Sequence, residues 1–484
     1  MDENIRKQSI IYGLSKYSTV AVTLLTTAIL SRILTPEECG VVSVVTVFTA
    51  LFAVISDMGL GTAVIQERSI TKSEINDVYS FSVYASVVMA LLFFGCGFII
   101  VWFYEDRIYH SICALLSISV LFNSMNIIPN AVLMKQKRFS LVGNRLIVTS
   151  VLTGAVAIVL ALNRFSYYSL VLQSVFQSVL VFAWNALSTG VRFHFRLNMD
   201  IIHRIKSFSL FQFLFSIINY FARNMDNLLI GKVMGKASLG YYDKGYKLMM
   251  YPVQNLTYVI NPIVHPVLSE HQDDKEYIYG AYSKEVTVLS FIGVFISAAC
   301  FLCGREIILL FFGSQWEDAV PVFKLLCLSV WPQIISSSAG SIYQSTGKTK
   351  LMFKSGILHF GTVIALIAIG VSTHDLKTVA ALVTVGMYAR FFIDYFFLIR
   401  KDFGYSYASF LRIFKIDLLS ALCMALSIVF LSKISTGKMI LDLIAKGLSI
   451  SAIFALISFA DGRFKAVIKI LSKRKGKVGD TVGK

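Results

Sequence analysis

The chain has 484 residues, 56% hydrophobic and 15% charged, with mean hydropathy +0.70 and formal net charge +17. A soluble domain carries about 25% charged residues, so an ordinary soluble fold is excluded. Disorder is excluded by 38 Phe, 22 Tyr and 4 Trp against 7 Pro. The basic residues are not gathered on a water-facing domain, which removes a nucleic-acid partner and leaves an all-α polytopic membrane protein.

Apolar stretches long enough to cross a hydrocarbon core of about 30 Å as one helix fall near 10–34, 40–64, 78–104, 108–133, 141–162 and 166–189. They resume near 207–230, 239–268, 283–312, 319–346, 354–372, 378–398, 413–432 and 439–460, about 14 in all. The least apolar is 239–268, which carries Asp243, Lys244, Lys247, Pro252, Pro262 and Pro266. Barrel strands are about ten residues of alternating pattern, so a β-barrel does not fit. The opening MDENIRKQS is polar and the run behind it has the length of a span, so no cleavable signal is expected.

With a cytoplasmic N-terminus, the inside loops and tail hold 28 of the 45 Lys and Arg, the outside loops 7 and the spans 10. That four-to-one bias follows the positive-inside rule and places both termini in the cytoplasm. A faint repeat runs at an offset of 200 residues. Arg32, seven residues (ILTPEEC) and Gly40 match Lys232, seven residues (VMGKASL) and Gly240, and Tyr79 matches Tyr279. These matches predict two pseudo-symmetric six-helix lobes, at 1–189 and 207–398, with a substrate site between them. A cytoplasmic linker at 190–206, two further helices within 399–460 and a basic tail at 461–484 complete the chain. In the linker, Ile201, Ile202 and Ile205 beside Arg204 and Lys206 suit a helix lying on the membrane surface. Phe464, Val467, Ile468 and Leu471 of the tail share one face in the same way, although a basic stop-transfer tail with no function of its own is the favoured reading there.

A charge near the bilayer centre costs about 2.5–3.5 kcal/mol even on the lenient insertion scale. Arg390 with Asp394, and Asp442 with Lys446, stand four apart and can neutralise each other. Arg305, Glu306, Lys324 and Asp417 lie nearer span ends. Lys16 in the first span has no acid one turn away, and Arg223 and Asp226 occupy the middle of the seventh. Lys247 enters the eighth span, Arg145 opens the fifth and Asp57 lies toward the inner end of the second. With spans one and seven facing each other, Lys16, Arg223, Lys247 and Arg145 are candidates for a cationic cavity that takes an anionic head group. Asp57 and Asp226 are the candidates for coupling to a proton or sodium ion. The alternative for Arg223 and Asp226 is a buried structural pair at i,i+3.

No GxxxxGK[ST] loop, HExxH or paired-carboxylate cluster is present, so the sequence offers no ATP site, metal site or other cofactor site. Cys300 and Cys303 form a CxxC inside an apolar helix, where packing is expected rather than redox chemistry. The loops are too short for a catalytic domain, and nothing argues for an enzyme.

SRILTPEECGVVSVV, SDMGLGTAVIQ and RNMDNLLIGKVMGKASLGYYDKGYKLMMYPVQ are similar to the polysaccharide-transporter branch of the multidrug/oligosaccharidyl-lipid/polysaccharide exporter superfamily. Its members flip O-antigen, colanic acid and related capsular repeat units. The resemblance covers nearly the whole chain. It implies two six-helix lobes in a V with two appended helices, alternating access without ATP, and an undecaprenyl-pyrophosphate-linked oligosaccharide as cargo. The setting it implies is a bacterial inner membrane, with membrane lipids, a polysaccharide polymerase and a chain-length regulator as partners. A cation-coupled multidrug antiporter of the same superfamily is the runner-up and would favour unpaired acids in the cavity. A membrane glycan polymerase would need a sizeable outer loop.

Overall fold

In the computed structural model the described residues are 3–57, 59–67, 70–195, 217, 220–221, 223–269, 274–346, 348–431, 438–462 and 464. They are helical apart from connections, and the chain divides into two compact units, Met1–Gly240 and Tyr241–Lys484. The division falls after the seventh expected span, whereas the expected second lobe begins ahead of it at 207.

The first unit contains α1 (Glu3–Ile33), α2 (Pro36–Asp57), α3 (Leu60–Gln66), α4 (Lys72–Tyr104), α5 (Ile108–Met125) and α6 (Ile127–Lys135). It continues through α7 (Phe139–Leu162), α8 (Tyr168–Thr189), a helix α9 over 223–233 and the first turns of α10 (Gly235–Ser269). The second unit takes the rest of α10, then α11 (Lys275–Leu302), α12 (Gly304–Phe312), α13 (Ala319–Cys327), α14 (Val330–Ser336) and α15 (Ala339–Ser345). It ends with α16 (Thr349–Ser372), α17 (Leu376–Tyr395), α18 (Tyr407–Leu411), α19 (Lys415–Leu431) and α20 (Met439–Ala460).

Among the described residues ten spans are long and apolar enough to cross a membrane, or eleven with the bent pair α13–α14. They match the first six, the ninth, eleventh, twelfth and fourteenth expected spans. The eighth is α10, one 35-residue helix that runs through Pro252, Pro262 and Pro266. The thirteenth is α19, and most of the seventh lies outside the described residues. The surface-helix readings of the linker at Ile201, Ile202 and Ile205, and of the tail at Val467, Ile468 and Leu471, also lie outside them.

Helix starts follow the sequence closely. Thr71 and Glu74 form a reciprocal capping box at α4, and Thr35 and Glu38 make the same exchange at α2. In the first unit α1 packs along α7, where a Cβ on Gly143 would stand 2.7 Å from Ser15 Oγ. The tenth expected span is where the structure departs from the sequence. Its apolar run is divided into α13, α14 and α15, with a 43° bend between the first two. Hydroxyls of α17 donate to carbonyls at the breaks. Thr384 Oγ1 donates to Leu325 O at 2.8 Å, Tyr388 OH to Leu328 O at 3.0 Å and Tyr395 OH to Ile335 O at 3.0 Å. Broken backbone at membrane depth persists only with such substitutes.

Helices α19 and α20 dock on the rest of the second unit through polar contacts in an apolar setting. Ser290 Oγ donates to Asp417 Oδ2 at 2.5 Å and itself accepts from Trp331 Nε1 at 2.9 Å. Lys446 Nζ pairs with Glu306 Oε1 at 2.5 Å across helices, not with Asp442 on its own helix as expected. Helix-surface spacing permitted both partners, but Glu306 is buried and needs the cation more. Arg390 does meet Asp394, at 3.5 Å, and Arg305 reaches Glu317 at 2.9 Å. Cys303 packs with Met424 and Ile450, and all seven cysteines are free thiols. Breaking the buried pair with Lys446→Met should cost about 3 kcal/mol, read as a lower thermal midpoint. Adding Glu306→Gln should restore most of it. A single variant as stable as the parent would remove the pair from the docking of α20.

Candidate functional site

The interior of the first unit is built on α6, α7 and α8. Arg145 of α7 is 5% exposed, and one of its terminal nitrogens donates to Asn185 Oδ1 at 2.6 Å and to Asn130 Oδ1 at 3.2 Å. Asn185 Nδ2 donates onward to Asn126 Oδ1 at 2.7 Å, while the buried Nε of Arg145 has no hydrogen-bond partner. One turn deeper, Thr153 Oγ1 donates to Gln177 Oε1 at 2.6 Å and Gln177 Nε2 to Thr149 Oγ1 at 3.2 Å. Among the described residues no carboxylate pairs with Arg145. A buried guanidinium held only by neutral amides keeps a full, uncompensated charge in a low-dielectric setting, which favours any anion that can reach it.

A cleft of about 380 Å³ opens beside this network, lined by Gln8, Arg138, Ser140, Leu141, Asn144 and Trp184. Leu141 stands one turn before Arg145 on α7, and Trp184 is next to Asn185 on α8. Lys16 of α1 is half-buried, and its neighbour Ser15 packs on Gly143. Tyr12, one turn before Lys16, lies close enough to Arg145 to interact with its charge. The α1–α7 packing therefore brings Lys16 and Arg145 to one region.

In α9 the alternative reading of Arg223 and Asp226 as a buried ion pair is not met. Arg223 is exposed and meets no described acid, whereas Asp226 is 5% exposed and its Oδ1 accepts the Asn227 N–H at 2.9 Å. Residues three apart on a helix are neighbours, but here one side chain turns out and the other in. The helix is anchored by Tyr220 OH to Val47 O, and by Tyr104 OH to Leu228 O at 3.2 Å. Asp57 ends α2, and its carboxylate accepts the backbone N–H groups of Gly59 and Gly61 across the break before α3. Gly59 there has φ 73°, so Asp57 holds a turn that glycine makes accessible. Lys247 belongs to the second unit, where its Nζ pairs with Asp243 Oδ2 at 2.7 Å.

At the expected outer end, Lys232 pairs with Glu105 at 3.1 Å and Lys236 with Asp106. The Lys236 ammonium and the Ile108 N–H hold the Asp106 carboxyl below the usual carboxylate range. Sequence reasoning did not select Asn126, Asn130, Asn185 or Gln177. The signal was present, since Asn126 and Asn130 stand four apart in an apolar run, but neutral amides carry no charge to count.

A family model described as polysaccharide biosynthesis protein matches residues 29–321, more than half of the chain. The chain belongs to that family. The uncharacterized membrane protein in the cps region of Klebsiella pneumoniae is 24% identical, covering 90% of this chain and 91% of its own. The lipopolysaccharide biosynthesis protein WzxC of Escherichia coli (strain K12) is 22% identical, with 82% of each chain covered. Among solved structures, the lipid II flippase MurJ in its inward closed conformation superimposes with TM-score 0.74. It covers 94% of this chain and 99% of that one at 13% identity, which establishes a shared fold. The family match spans Arg145, Arg223 and Lys247, with Lys16 ahead of it.

Proposed function

We propose that the protein is a flippase for undecaprenyl-pyrophosphate-linked oligosaccharide repeat units of a surface polysaccharide, carried from the cytoplasmic to the outer leaflet by alternating access. The observation that carries this is the polar interior around Arg145, which no carboxylate among the described residues pairs with, on a flippase-like fold in a polysaccharide biosynthesis family. A pyrophosphate bears about two negative charges and a glycan is hydrated, so both need cations and amides shielded from lipid. The isoprenoid tail can stay in the bilayer. Such a carrier does no covalent chemistry. It belongs in a bacterial inner membrane with both termini cytoplasmic, beside a polymerase and a chain-length regulator that take its product.

A cation-coupled drug antiporter requires acids left available in the cavity, and Asp57 is instead engaged with backbone N–H groups. The test is to delete the gene in a strain without a redundant exporter and follow the lipid-linked repeat unit. It should accumulate on the cytoplasmic side; arrival in the outer leaflet at the normal rate would refute the proposal. Arg223→Ala and Lys16→Ala, assayed in the same strain at matched membrane levels, should each lose most of the transport. Full transport in both would leave these two charges without a part in carrying cargo.

A further inference from the structure

The second unit holds a titratable cluster in which Asp394 and His359 are largely buried and Arg390 is partly exposed. Helix α17 places Arg390 and Asp394 one turn apart, and α16 brings His359 Nδ1 to 3.4 Å from Asp394 Oδ1. Arg390 Nε stands 3.5 Å from the other carboxylate oxygen. The Asp394 and His359 side chains are 9% and 16% exposed. Ser355 of α16 also hydrogen-bonds the carboxylate, and Tyr343 OH of α15 donates to the Asp394 carbonyl at 2.8 Å. The remaining titratable groups around the cluster are Tyr282 and Glu285 of α11, Tyr395 of α17 and Asp402 just beyond it. Tyr282 and Tyr395 share a hydroxyl contact of 2.7 Å, and Lys275 stands 3.7 Å from Asp402.

The same stretch of α17 fastens the broken helix. Tyr395 holds the end of α14 at Ile335 O, and Asp394 holds α15 through Tyr343. With His359 neutral, Arg390 and Asp394 balance each other. A proton on His359 adds an uncompensated positive charge to a site of low dielectric and makes Nδ1 a donor toward Asp394. The α16–α17 link thus changes charge where α14 and α15 are attached. Imidazole is the side chain suited to exchanging a proton near neutral pH.

We propose that the His359–Asp394 pair is a proton-binding site that sets the conformation of the broken segment α13–α15, and through it the carrier's cycle. Its use in the cycle rests on the flippase reading; proton binding and the response of the segment do not.

Full-length protein with 15N-labelled histidine, placed in lipid bilayers, provides the test. One imidazole signal should change protonation state across a pH series through neutrality and be missing from His359→Gln. Over that series, amide exchange across 319–345, corrected for its intrinsic pH dependence, should change about tenfold in the parent. It should stay constant in His359→Gln and Asp394→Asn. A single protonation state of His359 throughout, or the same pH response in His359→Gln, would overturn the proposal. All these measurements are made without cargo, so their failure leaves the flippase reading standing. Failure of the deletion test would in turn leave a measured titration in place.

Discussion

Arg145→Gln is expected to slow flipping ten- to a hundredfold while moving stability by less than about 2 kcal/mol. Both halves follow from the lack of a carboxylate partner among the described residues. Removing one partner of a buried ion pair costs about 3–5 kcal/mol, because the other charge is stranded. Arg145 strands no charge when it goes, since its partners are the neutral Oδ1 atoms of Asn130 and Asn185. The loss is limited to two carbonyl oxygens in need of a donor, about 1–3 kcal/mol, offset by relief of the buried charge. The glutamine amide can supply one of those donors. Toward a phosphoryl group the loss is larger, because a charge-assisted hydrogen bond is worth about 1.5–3 kcal/mol. The measurements are the thermal midpoint of the purified variant and the rate at which lipid-linked repeat units leave the cytoplasmic leaflet. A variant that flips normally, or one that unfolds as if a buried ion pair had been cut, would assign Arg145 a purely structural role.

What the sequence made legible, and what it hid, divides along physical lines. Of about 14 spans read from the sequence, ten recur as spans among the described residues, because an unbroken apolar run has one outcome in a bilayer. The tenth span hid its breaks for the same reason. Its run is as apolar as a continuous helix requires, and the hydroxyls that make the breaks tolerable, Thr384, Tyr388 and Tyr395, come from a helix about 60 residues away. Charges were easy to find and harder to pair. Arg390 and Asp394 met as their spacing predicted, but His359 joined them from α16, and Lys446 left Asp442 for Glu306. Helix periodicity sees one helix at a time, whereas partners in a bundle come from the neighbours. Arg223 and Asp226 show the converse, with correct spacing and divergent side chains. Of the candidate site, the cations were visible and the asparagines that receive Arg145 were not.

Gly40→Ala is expected to cost about 3 kcal/mol, far beyond an ordinary glycine-to-alanine change in a helix. A Cβ at Gly40 would fall on the carbonyl of Lys236, and a Cβ at Gly240 on the carbonyl of Pro36. Both obstacles are backbone, so no side chain can rotate out of the way. The contact is reciprocal in the numbering of the repeat: 40 meets 236 and 240 meets 36, the pattern of a local two-fold axis. Reciprocity adds a sharper expectation. Either Ala must push the starts of α2 and α10 apart, and once they are apart the second Cβ has room. Gly40→Ala and Gly240→Ala should therefore each be strongly destabilising, while the double variant costs much less than their sum. Thermal midpoints and membrane levels of the three variants decide the matter. Additive losses would mean that the two glycines serve separate local needs. A coupled loss would explain why the spacing from Arg32 to Gly40 returns from Lys232 to Gly240, because each copy is packed against the other.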